Sequence, residues 1–211
     1  MIRQDPILIA GPPRTGTTMT AGLLHYHGVW VGRSRTTMYP GTNSDFGSEN
    51  RDIKKILKHY ARSLGCGHWE PSFPDFGSDL PFKKQIEHFV PEDAPWLVKT
   101  SLCLMFWEFW VVAYPKARWV FPMRDTLKII DSMNRHPGMA KHPDKEKRQY
   151  IASLLRCYAK IQDAGAKHIF VDVEGLADRD PDVLSDLFAF LEIKPNDEVI
   201  QDWIKPNMLK R

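Results

Sequence analysis

The 211-residue chain carries 29 Lys plus Arg against 26 Asp plus Glu, a formal net charge of +3. That near balance excludes a broad polyanion-binding surface, so nucleic acid is not an expected partner, while a small phosphorylated ligand would need only a few of these cations. The length suits one hydrophobic core, and a single domain over residues 1–211 is expected.

The first segment, Met1-Ile-Arg-Gln-Asp-Pro6, runs straight into a strand with no charged-then-apolar leader, and no apolar run reaches roughly 18 residues. No membrane anchor is expected. Ile7 to Ala10 reads as a short buried strand, followed by a Gly/Pro turn and a helix from Thr17 to His27 that Gly28 closes. Val29 to Gly47 has loop chemistry throughout. Ser48 to Leu64 returns to helical pattern, with Ser48 as cap, Glu49 in the first turn and Gly65 as stop.

A second loop, Cys66 to Leu80, carries Trp69, Phe73 and Phe76, which suggests a lid or a substrate wall, and Pro81 opens a short helix to about Phe89. Trp96 to Lys99 is the next strand. Leu102 to Tyr114 reads as one apolar helix stopped by Pro115; its Trp107 and Trp110 could floor a sugar or phenol or simply pack the core. A strand at Arg118 to Met123 leads into a helix from about Asp125 to Asn134.

The basic stretch Ala140 to Arg148 reads as a solvated face or mobile loop. Lys145 to Asp163 is a long helix, and His168 to Val173 the last clear strand. Asp180 caps a helix through Leu191, and Asn196 caps a terminal one around Val199 to Ile204. Strands alternating with helices predict a mainly parallel sheet with right-handed crossovers. Cys66, Cys103 and Cys157 are odd in number and match no zinc or redox spacing, so they are expected to be reduced thiols in a cytoplasmic protein, and no metal is expected.

The chemistry concentrates at Gly11-Pro-Pro-Arg-Thr-Gly-Thr-Thr18. Gly11 and Gly16 can take backbone angles closed to other residues, so that N–H groups turn inward around an anion. The helix that follows adds its unpaired N–H groups, and Thr17 and Thr18 add hydroxyls. The spacing is that of the Walker A loop with one change: Thr17 stands where Lys is expected, and the positive charge sits inside the loop at Arg14. Lacking the Lys that reaches the β/γ-phosphates, the loop argues against ordinary ATP chemistry.

Pro13-Arg-Thr-Gly-Thr-Thr18 resembles the 5′-phosphosulfate loop of the sulfotransferases, where Lys or Arg precedes Ser/Thr-Gly-Thr-Thr/Ser. The stretch Trp119-Val-Phe-Pro-Met-Arg124 through Ser132 resembles that family's 3′-phosphate motif, although the family usually has Pro soon after the Arg and here Asp125-Thr126 follows. A guanidinium forks onto phosphate oxygens and a hydroxyl adds a neutral donor. Arg135 is either an exposed helix end or a cofactor edge. Phe170-Val-Asp-Val-Glu-Gly-Leu176 is similar to the family's strand–acidic-loop–helix segment.

The resemblance implies a P-loop-kinase-like three-layer α/β fold and transfer of a sulfuryl group from 3′-phosphoadenosine 5′-phosphosulfate (PAPS) to a small-molecule or carbohydrate acceptor. It implies cofactor binding by Pro13, Arg14, Thr15, Gly16, Thr17, Thr18, Arg124 and Ser132. Arg14 would stabilise the leaving phosphate. Lys99 matches a Val-Lys-Thr segment whose Lys approaches the sulfuryl group. The best-known cytosolic members carry a His two residues after that Lys, and here the position is Ser101.

Other branches use a Glu, and Asn43-Ser-Asp-Phe-Gly-Ser-Glu49 resembles the segment that supplies it, which makes Glu49 the leading base and Asp45 the reserve. Among the histidines, His25 and His27 read as structural and only His68 as placed to reach a substrate. Two alternatives stay open: a small-molecule or nucleotide kinase with a degenerate loop, and a nucleotide-binding protein that has lost its base.

Overall fold

A computed structural model describes residues 4–32, 49–66, 77–78, 81–205 and 208–209. Its central strand, β1 (Ile7–Ile9), is three consecutive apolar residues, all buried, the pattern of a strand covered on both faces. α1 (Thr17–Tyr26), α2 (Arg51–Ser63) and α3 (Lys83–Glu87) lead to β2 (Leu97–Lys99). α4 (Leu102–Met105) and α5 (Trp107–Ala113) precede β3 (Arg118–Met123); α6 (Thr126–Asn134), α7 (Pro137–Ala140) and α8 (Asp144–Asp163) precede β4 (His168–Asp172). α9 (Val173–Asp178), α10 (Pro181–Leu191) and α11 (Asp197–Trp203) follow.

The four strands lie in the order β2-β1-β3-β4, all parallel, with Ile7 opposite both Leu97 and Arg118 and Trp119 opposite His168. Because side chains alternate along a strand, each strand feeds both faces of the sheet. Leu8, Val98, Trp119 and Phe121 join the core under α2 to α5 and α8, whereas Ile7, Ile9, Leu97, Val120 and Val171 join the core under α1 and α9 to α11. The result is the expected α/β arrangement of three layers: helices, a parallel sheet, helices.

Strand order also places the site. The connection from β1 runs to β2 on one side and that from β3 runs to β4 on the other, so a crevice opens beyond the carboxyl ends of β1 and β3, where ligands of open α/β sheets bind. The Gly11–Thr18 loop leaves β1 there and Arg124 leaves β3 there.

Several elements differ from expectation. Helix α2 starts at Arg51 and its cap is Asn50, whose side-chain oxygen accepts from the N–H groups of Asp52 and Ile53, both at 3.0 Å; Glu49 therefore lies outside the helix, not in its first turn. The apolar run from Leu102 breaks at Phe106 (φ −108°, ψ 33°) into α4 and α5, a bend that periodicity cannot reveal where five consecutive residues are buried. Of the basic stretch 140–148, residues 144–148 open α8 and Lys141, Lys145 and Arg148 are exposed, the solvated-face alternative; Lys147 is the exception, buried and bonded to Asn134 and, at 3.2 Å, to Asp144. The acidic segment after β4 contains no loop, because Asp172 caps α9 directly.

Helix ends with local signals are as expected. Gly28 takes φ 88° after α1, Asp180 and Asn196 cap α10 and α11, and Pro181 opens α10. Cys66, Cys103 and Cys157 are buried thiols. No helix among the described residues is long and apolar enough to cross a membrane.

Candidate active site

The loop between β1 and α1 is held from beneath. Ala10 N–H donates to Val120 O (3.1 Å), Tyr158 Oη donates to Ala10 O (3.1 Å), and Thr15 Oγ1 donates to Pro12 O (2.7 Å). Gly16 is left-handed (φ 84°), as expected. Gly11 is not among the residues with positive φ; the second left-handed position is Arg14, at φ 73°. Gly11 is needed for space instead, since a Cβ there would stand 3.0 Å from Thr15 Oγ1 and 3.1 Å from Tyr158 Oη. A non-glycine residue in this region costs on the order of 1–2 kcal/mol, a strain found where backbone is held for function.

Helix α1 begins on Gly16 with no side-chain cap and no acidic residue in its first turn. Its N–H dipoles therefore meet the loop without a built-in anion. Gly16 is also the point where α9 approaches: a Cβ on it would lie 2.3 Å from Val173 Cγ1.

Arg14 and Arg124 meet across the crevice. Arg14 Nε donates to Ser132 Oγ at 3.0 Å, joining two residues assigned by sequence to different phosphates. Arg124, only 8% exposed, donates through one terminal nitrogen to Arg14 O (3.1 Å) and through the other to Leu209 O (3.0 Å). Its Nε stands 3.8 Å from Glu174 Oε1, and Glu174 also pairs with Lys128. Arg124 thus clamps the strained residue of the loop to the C-terminal segment, a role that its place after β3 did not announce.

Burial holds the Arg14 guanidinium below its ordinary pKa, and the like charges of Arg124 and Arg135 add to the effect. His136, whose ring caps α7 by accepting from Gly138 N–H (3.2 Å), is also held low, by burial and then by Arg14. Arg135 belongs to this cationic group, though its side chain is half-exposed and pairs with Asp131. His136, Glu174 and Leu209 were not assigned to the site from sequence, although Ser132 and Arg135 lie close to His136 and Glu174 falls in the quoted acidic segment, because their contacts with Arg14 and Arg124 are long-range.

The second half of the site lies at the end of β2. Lys99 Nζ is 3.9 Å from Glu49 Oε1, and Lys54 binds Glu49 Oε2. Burial is the largest cause lowering Lys99; Glu49 opposes it, while Lys54 and Arg14 reinforce it. Lys99 is therefore within electrostatic reach of both Glu49 and Arg14. Ser101 accepts from Tyr150 Oη at 3.4 Å, and burial pushes that phenol up to about 12.

Of the remaining candidates, His27 is structural: its Nδ1 contacts Leu23 O (2.7 Å) and its Nε2 accepts from Asn196 N–H (3.1 Å). Trp110 is fully buried and packs with Tyr114, so it belongs to the core. Asp45, His68, Trp69, Phe73, Phe76 and the Asn43–Ser48 segment lie outside the described residues.

Solved structures with this fold include a Mycobacterium tuberculosis sulfotransferase, 16% identical with a TM-score of 0.60 over 96% of this chain and 71% of that one. The sulfotransferase domain from the curacin biosynthetic pathway is 14% identical, with a TM-score of 0.63 over 98% and 81%. That of a Synechococcus olefin synthase is 16% identical, with a TM-score of 0.59 over 100% and 84%. At such identities the likeness is one of fold, the P-loop-kinase-like fold of sulfotransferases. No curated protein matches the chain in sequence. The sequence profile of the sulfotransferase family matches residues 6–197, nearly the whole length, and the chain belongs to that family.

Proposed function

We propose that the protein transfers a sulfuryl group from PAPS to an acceptor hydroxyl or amine by in-line displacement, with cationic side chains rather than a metal carrying the charge. The observation that supports this most is the convergence of Arg14, Arg124 and Arg135 beside the uncapped start of α1. Partly buried like charges raise one another's cost, and a bound bisphosphate would lower it. The donor set therefore fits this nucleotide.

When bound, the donor supplies the sulfuryl group and a phosphate leaving group. In this reading the N–H groups of Gly16 to Thr18 and the hydroxyls of Thr17 and Thr18 hold the 5′-phosphate. Ser132 and Arg124 serve the 3′-phosphate. Arg14, bonded to Ser132, spans the two and stabilises negative charge on the leaving side. Lys99 directs its ammonium at the transferring group, and Glu49 Oε1 accepts the acceptor's proton. The buried cysteine thiols support placing the protein in a reducing cytoplasm.

Adenosine 3′,5′-bisphosphate (PAP), at about 100 times its dissociation constant, should stabilise the fold by roughly 2.7 kcal/mol, a melting shift of about 5–10 °C for a chain of this size. Stabilisation by ATP with Mg²⁺ and none by PAP would replace the proposal with a kinase. Stabilisation by PAP with no sulfated product across a broad panel of phenols, sugars and amines would leave a binding protein without transfer.

A further inference from the structure

Lys147 is 1% exposed, more deeply buried than Arg124 at 8% or Lys99 at 12%, and it belongs to neither half of the site described above. It sits near the start of α8, bonded to Asn134 Oδ1 at the end of α6 and, at 3.2 Å, to Asp144 Oδ1 on its own helix. Asn134 Nδ2 donates to the same Asp144 oxygen at 3.3 Å, so the three side chains close a ring across the two helices.

Packing alone does not call for an ammonium here. Helix α6 already meets α8 through Ile129, Ile130 and Met133 against Ile151, and a methionine at position 147 would extend that contact without the cost of burying a charge. What the ammonium adds is direction. Apolar contact is non-directional and admits a small turn of one helix against the other, whereas a hydrogen bond to Asn134 holds only over a narrow range of angles.

The last turn of α6 is where that direction matters. Its start is fixed just after Arg124 by the Asp125 cap, which accepts from Leu127 and Lys128 N–H at 2.9 and 3.0 Å. Near its other end Ser132, two residues before Asn134 and 2% exposed, accepts from Arg14 Nε at 3.0 Å, and Arg135 and His136 follow within reach of the same guanidinium. A side-chain tip stands roughly 5 Å from the helix axis, so a turn of about 10° moves it about 1 Å, enough to misplace a hydroxyl aimed at a phosphate. We propose that Lys147 is a positioning residue for the nucleotide: by holding Asn134 it fixes the rotation of the last turn of α6, and through it the direction of the Ser132 hydroxyl. The inference rests on the assignment of Ser132 to the 3′-phosphate.

The test titrates the whole chain by calorimetry with PAP and with adenosine 5′-monophosphate, which has no 3′-phosphate. Lys147→Met should lose roughly 10-fold in PAP affinity, near the lower end of what a hydrogen bond to a charged group contributes, and should hold the monophosphate within about twofold. Ser132→Ala should show the same split between the two ligands. The double variant should lose little more than Ser132→Ala alone, because both substitutions act on one hydroxyl, whereas a general loosening of the fold would weaken both ligands and add to the loss of Ser132.

Unchanged PAP affinity in Lys147→Met, an equal loss for both ligands, or full additivity with Ser132→Ala overturns the positioning role, while PAP binding by the unmodified protein leaves the functional reading standing. Absence of PAP binding by the unmodified protein overturns the functional reading, and with it the role of Lys147. If Lys147→Met fails to fold, Asn134→Ala, a change at an exposed position that removes the other end of the bond, must show the same selective loss of PAP or the proposal falls.

Discussion

Arg14 joins a strained backbone to a charged side chain, and the two can be separated by substitution. Replacing it with Gly removes the guanidinium but suits the left-handed angle (φ 73°); replacing it with Ala removes the guanidinium and keeps the strain. Both variants lose the Nε bond to Ser132 and the charge beside the phosphate loop. A charge-assisted hydrogen bond is worth about 1.5–3 kcal/mol, so PAP affinity should fall roughly 10- to 150-fold in both, as read by titration calorimetry. Stability should differ between them: Arg14→Ala should be less stable than Arg14→Gly by about 1 kcal/mol, or about 2–4 °C in melting temperature. Turnover, once an acceptor is in hand, should drop on the order of 10²–10³ in either variant. An Arg14→Gly protein that binds PAP as tightly as the unmodified one would refute the assignment of Arg14 to the site. Equal melting temperatures for the two variants would refute the strained conformation.

Gly16→Ala adds a Cβ 2.3 Å from Val173 Cγ1 at φ 84° and should cost roughly 1–3 kcal/mol in packing plus about 1 in backbone; pairing it with Val173→Ala should recover the packing part only, as read by urea unfolding. His136 should titrate below the ordinary His value of about 6.5 in an NMR pH series, and Arg14→Ala should raise its midpoint part of the way back, since burial, the larger cause, remains. The sign follows from linkage: a ring kept neutral in the fold contributes stability that is fully present above about pH 6.5 and lost as pH falls through the lowered midpoint. A His136 midpoint indifferent to Arg14 would separate the two groups.

The strand–turn–helix of the candidate phosphate loop was legible because its parts are local. A strand of consecutive apolar residues, a glycine able to take φ 84° and a helix start without a competing acid all lie within Ile7 to Thr18. The caps at Asp180 and Asn196 were legible for the same reason, each bond closing within three residues. The spacing of Arg124 and Ser132 on a strand end and the helix after it was equally short-range. Where two local signals competed, sequence chose wrongly: Ser48 and Asn50 are both capping types, and only the hydrogen bonds show that Asn50 holds α2 and leaves Glu49 outside it.

Sequence alone pointed to a candidate anion site after β1 and placed a second cation after β3, because turn geometry and helix polarity are properties of a few adjacent residues. It could not determine what those cations touch. The Arg14 bond to Ser132 spans 118 residues and the Arg124 bond to Arg14 O spans 110, and both exist only because β3 lies beside β1 in the sheet. The approach of Lys99 to Glu49 likewise depends on β2 flanking β1 from the other side, which carries the end of one strand to the start of α2. Strand order and register, set by burying both faces of the sheet at once, decided which charges share the site and which carboxylate stands among them.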